Sequence, residues 1–339
     1  MNTVEGGTRS SDSNWRLDPP YGPRSVVMVI LILLALIYTG RHVEMGRMLS
    51  LTGDGVLAAV GLKADSQVSA GISRIATSLF PIQLSERREV SRIEGFDRDH
   101  LPLFARIETL DVSEQRLDPA TLKMVTRVER TDYLVEPLGY LRHVTLKMLE
   151  TIEIALWGTV LAILLSAPLA CFAARNYTPN RITYSLARGV ISLCRAIPEL
   201  ISALFLVLAY GFGPIAGVLA LGIHGSGFLG KFYAEDIENA DDRPQEALRA
   251  IGSRKVSILR FAVLPQVLPQ YIAYTVYILD RNVRMATVIG LVGAGGIGQE
   301  LKGRYDMYNY SHVGTILVAI FLTVYLLDRI SARLRSRWI

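Results

Sequence analysis

Arginines at the end of a long apolar segment are the side chains whose chemistry is easiest to assign. Arg281 and Arg284 close such a segment, and Asn282 lies between them. A guanidinium beside a pathway favours anionic oxygens, such as those of phosphate or phosphonate, because its planar fork donates paired hydrogen bonds. Arginines at a helix end also snorkel to the membrane surface, and the sequence leaves both interpretations open.

Three other polar residues in or beside the apolar segments are candidates for lining a translocation path through a membrane. Arg195 and Glu199 are four residues apart with Pro198 between them, and this spacing predicts an ion pair along one helix face. His224 occurs in the run GIHGSG (222–227), where a hydrogen-bonded packing role is favoured over a role as a ligand. The candidates for a path thus include Arg195, Glu199, His224, Asn282 and Arg284.

Glycines are dense in residues 291–298, LVGAGGIG. Their spacing resembles a nucleotide-binding loop, but no soluble strand is predicted before it and no βαβ unit after it. In a membrane, such glycines permit close helix contact or a broken helix beside a pathway. Gly293, Gly295 and Gly296 are therefore further candidates for a path, and a nucleotide site is disfavoured.

Motifs of enzymes are missing from the sequence. The chain has no HExxH, no GxSxG and no GxxxxGK[ST] phosphate loop, and its five histidines are scattered. Its two cysteines, Cys171 and Cys194, supply neither a disulfide framework nor a set of metal ligands. We therefore expect no catalytic residue, no metal ligand and no cofactor bound by this chain.

Apolar segments long enough to cross a membrane make up much of the chain. Hydrophobic residues are 50% of the 339, and several stretches lack Asp, Glu, Lys and Arg: 25–40, 154–174, 200–230, 261–279 and 307–327. A span needs about 20 mostly apolar residues, so the third stretch holds much of two spans, with a turn at 211–214. The expected fold is an all-α integral membrane protein with about six transmembrane helices.

Basic residues indicate the orientation of these spans. Arginines follow the second span and the last one, at positions 175, 181, 188 and 195 and at 329, 333, 335 and 337. By the positive-inside rule both regions face the cytoplasm, and alternation then puts both termini inside. This predicts a multi-pass membrane protein. The net charge of +5 lies at span ends and does not indicate nucleic acid.

The expected organisation has five parts. They are a disordered cytoplasmic tail (1–24), a first transmembrane helix (25–40), an extracytoplasmic or interfacial region (41–148), a membrane core (149–330) and a basic tail (331–339). Residues 85–136 are a charged insertion, expected as a small extramembrane subdomain. Before them, Ile72, Ile75 and Leu79 recur at helical spacing, which is typical of a helix lying in the interface.

A charged stretch, Glu246 to Pro265, lies between two apolar segments in the loop predicted at about 233–258. It resembles the EAA motif of ATP-binding-cassette (ABC) importer permeases. Glu246, Ala247, Gly252, Leu264 and Pro265 match that motif in register, whereas Leu248 and Ala262 replace an alanine and an isoleucine. The resemblance implies a coupling helix that sits on a cytoplasmic ATPase subunit.

Segments from about residue 140 to the C-terminus are similar to permeases of phosphonate-type importers. They begin at Glu150, Cys194, Gly211, Val263 and Asn282, the last reading NVRMATVIGLVGAGGIG. The resemblance implies a type I importer core of five helices, a second copy of the chain forming the path at a homodimer interface, and surrounding membrane lipid. It also implies an extracytoplasmic binding protein and a dimeric ATPase subunit that holds ATP and Mg²⁺. A permease of this kind is expected in the cytoplasmic (inner) membrane of a prokaryote.

Two other classes remain as alternatives. A permease for methionine or another small solute is the nearest, because GAGGIG also occurs in methionine-type permeases. An ion-coupled secondary carrier would need an acidic or histidine relay inside the spans, whereas Glu153 and Glu199 lie at span margins. Phosphonate, phosphite and phosphate are not distinguished by the sequence.

Overall fold

The computed structural model describes residues 22–61, 66–93, 95–98, 101–102, 104–117 and 124–338. The chain divides into two compact units, residues 1–76 and 77–339. The predicted tail at 1–24 lies almost entirely outside the described residues. In the first unit, the apolar run forms helix α1 (Pro23–His42), which is followed by α2 (Met45–Ala59) and by most of α3 (Gln67–Leu79).

The second unit contains most of the helices. They are α4 (Gly139–Ala173), α5 (Arg181–Ala196), α6 (Glu199–Tyr210), α7 (Pro214–Asn239), α8 (Asp242–Ala250), α9 (Lys255–Ile258), α10 (Leu264–Gly290), α11 (Gly296–Asp306) and α12 (Tyr310–Trp338). A π-helical turn, Leu259–Val263, joins α9 to α10. The run from Lys255 to Gly290 is therefore a single helical element of 36 residues.

Helices long and apolar enough to cross a membrane number five in the described part of the chain. They are α1, α4, α7, the α9–α10 run and α12, and the bent pair α5–α6 raises the number to six if it counts as one span. The predicted helical membrane fold is confirmed. The third predicted span is broken, because α6 has only 12 residues and its axis is turned by 90° from that of α5.

The charged insertion at 85–136 forms a small antiparallel sheet, which the sequence analysis did not predict. Its strands are β1 (Glu86–Glu89), β2 (Arg106–Leu117) and β3 (Met124–Glu136), in the order β1-β3-β2. The β2–β3 ribbon pairs from Arg106↔Val135 to Leu117↔Met124. Opposite charges meet across it, as between Arg130 and Asp111 at 3.3 Å, and such pairs stabilise strand pairing modestly.

Two boundaries differ from the expected ones. α4 begins at Gly139 and not at 149, because Tyr140, Val144 and Met148 form a buried stripe that extends its packed face toward the sheet. α7 continues to Asn239, so the first seven residues of the loop expected at 233–258 are helical. Tyr233 and Ile237 are buried in the core there, which keeps this end of α7 ordered.

Close contact between α4 and α7 organises the core. Small residues allow it: a Cβ added at Gly225 would lie 2.9 Å from the Cβ of Ala162, and one added at Gly158 would lie 2.8 Å from that of Leu221. Glycine at such positions lets two helix backbones approach closely in a membrane. α5, α6 and α10 then pack on the outside of this pair and carry the polar residues described next.

Candidate functional site

The segment with the EAA-like sequence forms helix α8, a tight turn and helix α9. At the end of α8 the amide of Gly252 donates to the carbonyl of Arg249 (3.0 Å), and the amide of Ser253 donates to that of Leu248 (3.0 Å). This is the Schellman arrangement, in which the residue after the cap takes a left-handed conformation. Gly252 has a φ of +78°, a value that residues with a Cβ rarely adopt.

The proline of this segment lies at the start of α10, directly after the π-helical turn. Pro265 has no amide hydrogen, so an ordinary α-helical turn would lose one bond here. The wider π turn at Leu259–Val263 changes the bonding pattern just before it and lets the helix continue. Leu264 begins α10 and is partly exposed. The EAA-like segment from Glu246 to Pro265, called the coupling segment, is thus continuous with α10, a helix long and apolar enough to cross a membrane.

Gln245 fixes α8 to the rest of the molecule. Its side chain is fully buried (0% exposed) and accepts a hydrogen bond from the hydroxyl of Tyr177 (2.8 Å). Its amide nitrogen donates to the carbonyls of Ala240 (3.3 Å) and Asp241 (3.2 Å). Tyr177 lies in the loop between α4 and α5, so one side chain ties the helix to two neighbouring loops.

If this segment couples to an ATPase, as its resemblance to the EAA motif implies, Gln245→Leu is expected to reduce coupled transport without removing the chain from the membrane. Three hydrogen bonds would be lost, each worth about 1 kcal/mol net, and the Tyr177 hydroxyl would lose its partner. The measurement is uptake alongside the rate of ATP hydrolysis by the expected ATPase subunit. Gln299→Leu, at an exposed glutamine of α11, is the matched control. Wild-type uptake in the Gln245→Leu variant would contradict the role of Gln245 in holding α8 in place.

The other face of the coupling segment is open. Glu246 and Ala247 are exposed, Leu248 is half-buried, and Ile251 and Val256 are each 76% exposed. Large apolar side chains displayed together with charged ones are typical of a surface that binds another protein. This face is therefore the best candidate in the described chain for docking a soluble partner.

A cluster of charged side chains lies between α5, α6, α7 and α10. The predicted pair of Arg195 with Glu199 is wrong, because Pro198 separates two helices whose axes differ by 90°. Glu199 instead accepts a hydrogen bond from the guanidinium of Arg281 and lies 3.0 Å from Nε2 of His224. Its carboxylate is buried at the start of α6.

His224 has a polar partner at each ring nitrogen. Its Nδ1 lies 3.2 Å from the carbonyl oxygen of Ile197, which only accepts, so Nδ1 carries a proton. Its Nε2 is 3.1 Å from Nη2 of Arg281. The ring of Phe228, one turn further along α7, lies 5.0 Å from Cζ of Arg195 and 4.9 Å from Cζ of Arg281. These contacts define the arginine cluster: Arg195, Glu199, His224, Phe228 and Arg281.

The remaining predicted polar residues of α10 lie outside this cluster. Asn282 is buried and donates to the hydroxyl of Thr159 on α4 (2.9 Å). Arg284 donates to the buried carboxylate of Asp280 (2.6 Å), and its own side chain is 44% exposed. Asn282 therefore joins α10 to α4, whereas Arg284 is paired within its own helix. The predicted role of Arg284 in a path stays a prediction.

The glycine-rich stretch breaks the helix between α10 and α11. Gly293, Gly295 and Gly296 all have positive φ, of 94°, 86° and 69°. Two side chains of α4 cap the new helix: Glu150 accepts from the amide of Gly296 (3.0 Å), and Thr151 accepts from that of Ile297 (2.8 Å). The break thus lies at the end of α10 that is remote from the coupling segment.

Ion pairs hold this remote end together. Glu300 of α11 pairs with Arg304 (2.8 Å) and with Nε2 of His143 on α4 (3.3 Å). Burial alone would raise the pKa of Glu300, but the hydrogen bond and the charge of Arg304, together with those of His143, outweigh burial and lower the pKa below its usual value. The carboxylate therefore stays ionised near neutral pH.

Several of these residues were missed by the site prediction. Arg281 was noted as an arginine but not chosen over Arg284, because its partners are 82 and 57 positions away in the chain. Gln245 lies in a polar loop directly before Glu246, and Glu150 lies just before an apolar segment, and neither carried a further signal. Glu150 does follow Lys147 at a spacing of three, and that pair is formed (2.7 Å).

The chain resembles a known protein family and several known proteins. Residues 166–338 match the model of the family described as "Binding-protein-dependent transport system inner membrane component". The chain belongs to this family. The permease is also 58% identical over 261 residues to the protein named "Putative phosphite transport system permease protein HtxE" of Stutzerimonas stutzeri, which covers 77% of this chain and 100% of that relative.

Other matches agree with this family. The permease is 42% identical over 188 residues to the phosphate-import permease protein PhnE of Mycolicibacterium smegmatis, across 56% of this chain and 35% of that one. A crystal structure of an amino acid ABC transporter matches with a TM-score of 0.50 at 16% identity, over 58% of this chain and 95% of that one, which supports the fold alone. The predicted resemblance to phosphonate-type ABC permeases is confirmed.

Proposed function

We propose that this permease moves a phosphorus oxyanion, such as phosphite, phosphonate or phosphate, into the cytoplasm. The similarity to HtxE carries this proposal, because it extends over the full length of a protein named for phosphite transport. The guanidinium groups of the arginine cluster agree with it, since arginine suits anionic oxygens better than other side chains do.

Two copies of the permease would form the path at their interface, with both termini in the cytoplasm. A dimeric ATPase would bind ATP and Mg²⁺ and dock on the exposed face of α8 and α9. An extracytoplasmic binding protein would deliver the anion to the opposite end. Arg175, Arg181 and Arg188, which follow α4, and the arginines in the last turns of α12 support this orientation, because basic residues mark the cytoplasmic ends of spans.

Movement would pass from the ATPase to the path through one helical element. Closure of the ATPase dimer would displace α8 and α9, and the run from Lys255 to Gly290 would carry that displacement toward Arg281. Access would then switch from the cytoplasm to the outside. Gln245 and Gly252 would preserve the conformation of α8 and α9, the helices that the ATPase would displace.

The test is uptake in cells that lack other phosphorus importers. The permease would be expressed with its cognate ATPase and binding protein, and the cells supplied with phosphite, methylphosphonate, phosphate or methionine. We expect uptake of at least one phosphorus oxyanion, abolished when the phosphate-loop lysine of the ATPase is replaced. Uptake of methionine alone would overturn the substrate. Uptake that survives loss of the ATPase but stops when ion gradients collapse would indicate a secondary carrier.

A further inference from the structure

Two guanidinium groups converge inside the helical bundle. Arg195 ends α5 and Arg281 lies in α10, yet both Cζ atoms are within 5.0 Å of the centre of the Phe228 ring. The two guanidinium carbons are therefore at most about 10 Å apart. An oxyanion that accepts hydrogen bonds from two guanidiniums holds each carbon about 4 Å from its central atom, so it bridges carbons up to about 8 Å apart, a separation that this upper bound allows.

Hydrogen-bonding capacity in the cluster is incomplete. The Nη2 group of Arg281 contacts Glu199 and His224, but its Nη1 is buried with no acceptor among the described residues. Nε of Arg195 is likewise buried and without a partner in that part of the chain. Buried polar groups in native proteins are nearly always satisfied, and each exception needs an explanation. An anion that binds there transiently would be the missing acceptor and would explain both unpaired groups.

The net charge of the arginine cluster also favours a bound anion. The cluster holds two arginines and a single carboxylate, Glu199, and the ring of His224 is the one other titratable group in contact with them among the described residues. One cation is therefore left without a counter-ion. A charge of this kind in a membrane is expensive unless it faces water, a partner or a ligand.

The cluster lies beside the apolar part of α7, away from both ends of that helix. His224 is the eleventh residue of α7, so it lies about 15 Å from the start of that helix and about 22 Å from its end. Arg281 keeps 23% of its side chain exposed. It forms one stripe of α10 with the exposed residues Tyr277, Arg284 and Val288, at spacings of four and three residues. Two arginines on this stripe suit a path or a second copy better than lipid.

We propose that Arg195 and Arg281 form an oxyanion-binding site inside the membrane, where the transported anion is held between the two sides. This inference rests on the proposed function. Glu199 holds one arm of Arg281, and the free N–H groups of both arginines receive the oxygens of the ligand. Arg281 is thus a binding residue, and Glu199 and His224 are positioning residues.

The test uses the full transporter with its ATPase and binding protein, reconstituted in proteoliposomes and supplied with phosphite or phosphate. Arg281→Gln is expected to lower uptake about tenfold or more, since hydrogen bonds from a charged donor are about twice as strong as neutral ones. Arg281→Lys is expected to recover part of the loss. Arg329→Gln, at the exposed end of α12, removes an equal charge and is expected to transport normally.

A double variant separates binding from a purely structural role. If Arg281 serves only as the counter-ion of Glu199, then Glu199→Gln in the Arg281→Gln background restores uptake, and the inference is overturned. If Arg281 binds the anion, the double variant stays defective. Normal uptake in Arg281→Gln also overturns it. Uptake reports the free anion and not a lipid headgroup, because a headgroup is not transported.

A second variant covers failure of the first to assemble. Arg195 has no ion pair in the described chain, so Arg195→Gln is expected to leave the amount of transporter unchanged and to raise the KM for the delivered anion. An unchanged KM would contradict the site. A wild-type transporter that imports neither phosphite nor phosphate, nor a phosphonate, is a different result: it removes the proposed function and this inference with it.

Discussion

Replacing Gly252 by valine is expected to lower coupled uptake about tenfold, while the amount of permease in the membrane stays the same. The left-handed conformation costs a residue with a Cβ about 1–2 kcal/mol, and 1.4 kcal/mol is about tenfold in an equilibrium constant. No atom lies within 4 Å of the added Cβ, so the effect arises from the backbone and not from a clash. Uptake and stimulation of the ATPase measure it together.

Two comparisons make this prediction specific. Gly252→Asn is expected to be milder, because asparagine tolerates the left-handed region better than valine does. Gly61→Val places the same strain at φ +80° in equally open space, but in the first unit of the chain, and is expected to leave coupling intact. Equal losses in the Gly61 and Gly252 variants, or normal uptake in Gly252→Val, would remove Gly252 from the coupling mechanism.

Replacing Gly290 by alanine is expected to prevent folding of the end of α10. The added Cβ would lie 2.6 Å from the carbonyl oxygen of Gly295 and 2.8 Å from Cα of Gly298, and backbone atoms at these distances cannot move aside cheaply. Overpacking costs about 1–3 kcal/mol, and a clash with backbone belongs at or above the top of that range. The thermal stability of the purified permease in detergent measures the effect.

Gly303→Ala is the control for this change. Gly303 also lies in a helix, α11, and nothing is within 4 Å of its added Cβ. The substitution is expected to be neutral or slightly stabilising, because alanine favours a helix over glycine by about 1 kcal/mol. Equal stability of the two alanine variants would show that the packing of α10 against α11 is looser than the geometry indicates.

Local patterns in the sequence were sufficient for the spans formed by α1, α4, α7, the α9–α10 run and α12. In a membrane, the backbone N–H and C=O groups of an apolar run must form their hydrogen bonds within one helix. The position of such a helix can therefore be predicted from the apolar run itself. The arginine cluster could not be predicted in this way. An i,i+4 pair of Arg195 and Glu199 requires a continuous helix, and Pro198 begins a new one instead. The partners of Glu199 come from α7 and α10, which only tertiary packing brings together.

The insertion was missed for a different reason. Residues 85–136 are charged on both faces of their strands, so no alternation of apolar and polar residues marks them clearly. The pairing of β2 with β3 becomes visible only once the register is known. The capping of α11 by Glu150 was also not predicted, because Glu150 and Gly296 are 146 positions apart and no local spacing connects them.

The excess cation of the arginine cluster has a consequence for selectivity in the proposed homodimer. Two copies would bring two such excess charges to one shared path, matching a doubly ionised phosphite, phosphonate or phosphate. A singly charged anion would neutralise half of this charge, and a zwitterion such as methionine none of it. The permease itself would then discriminate by ionisation state, independently of the protein that delivers the solute.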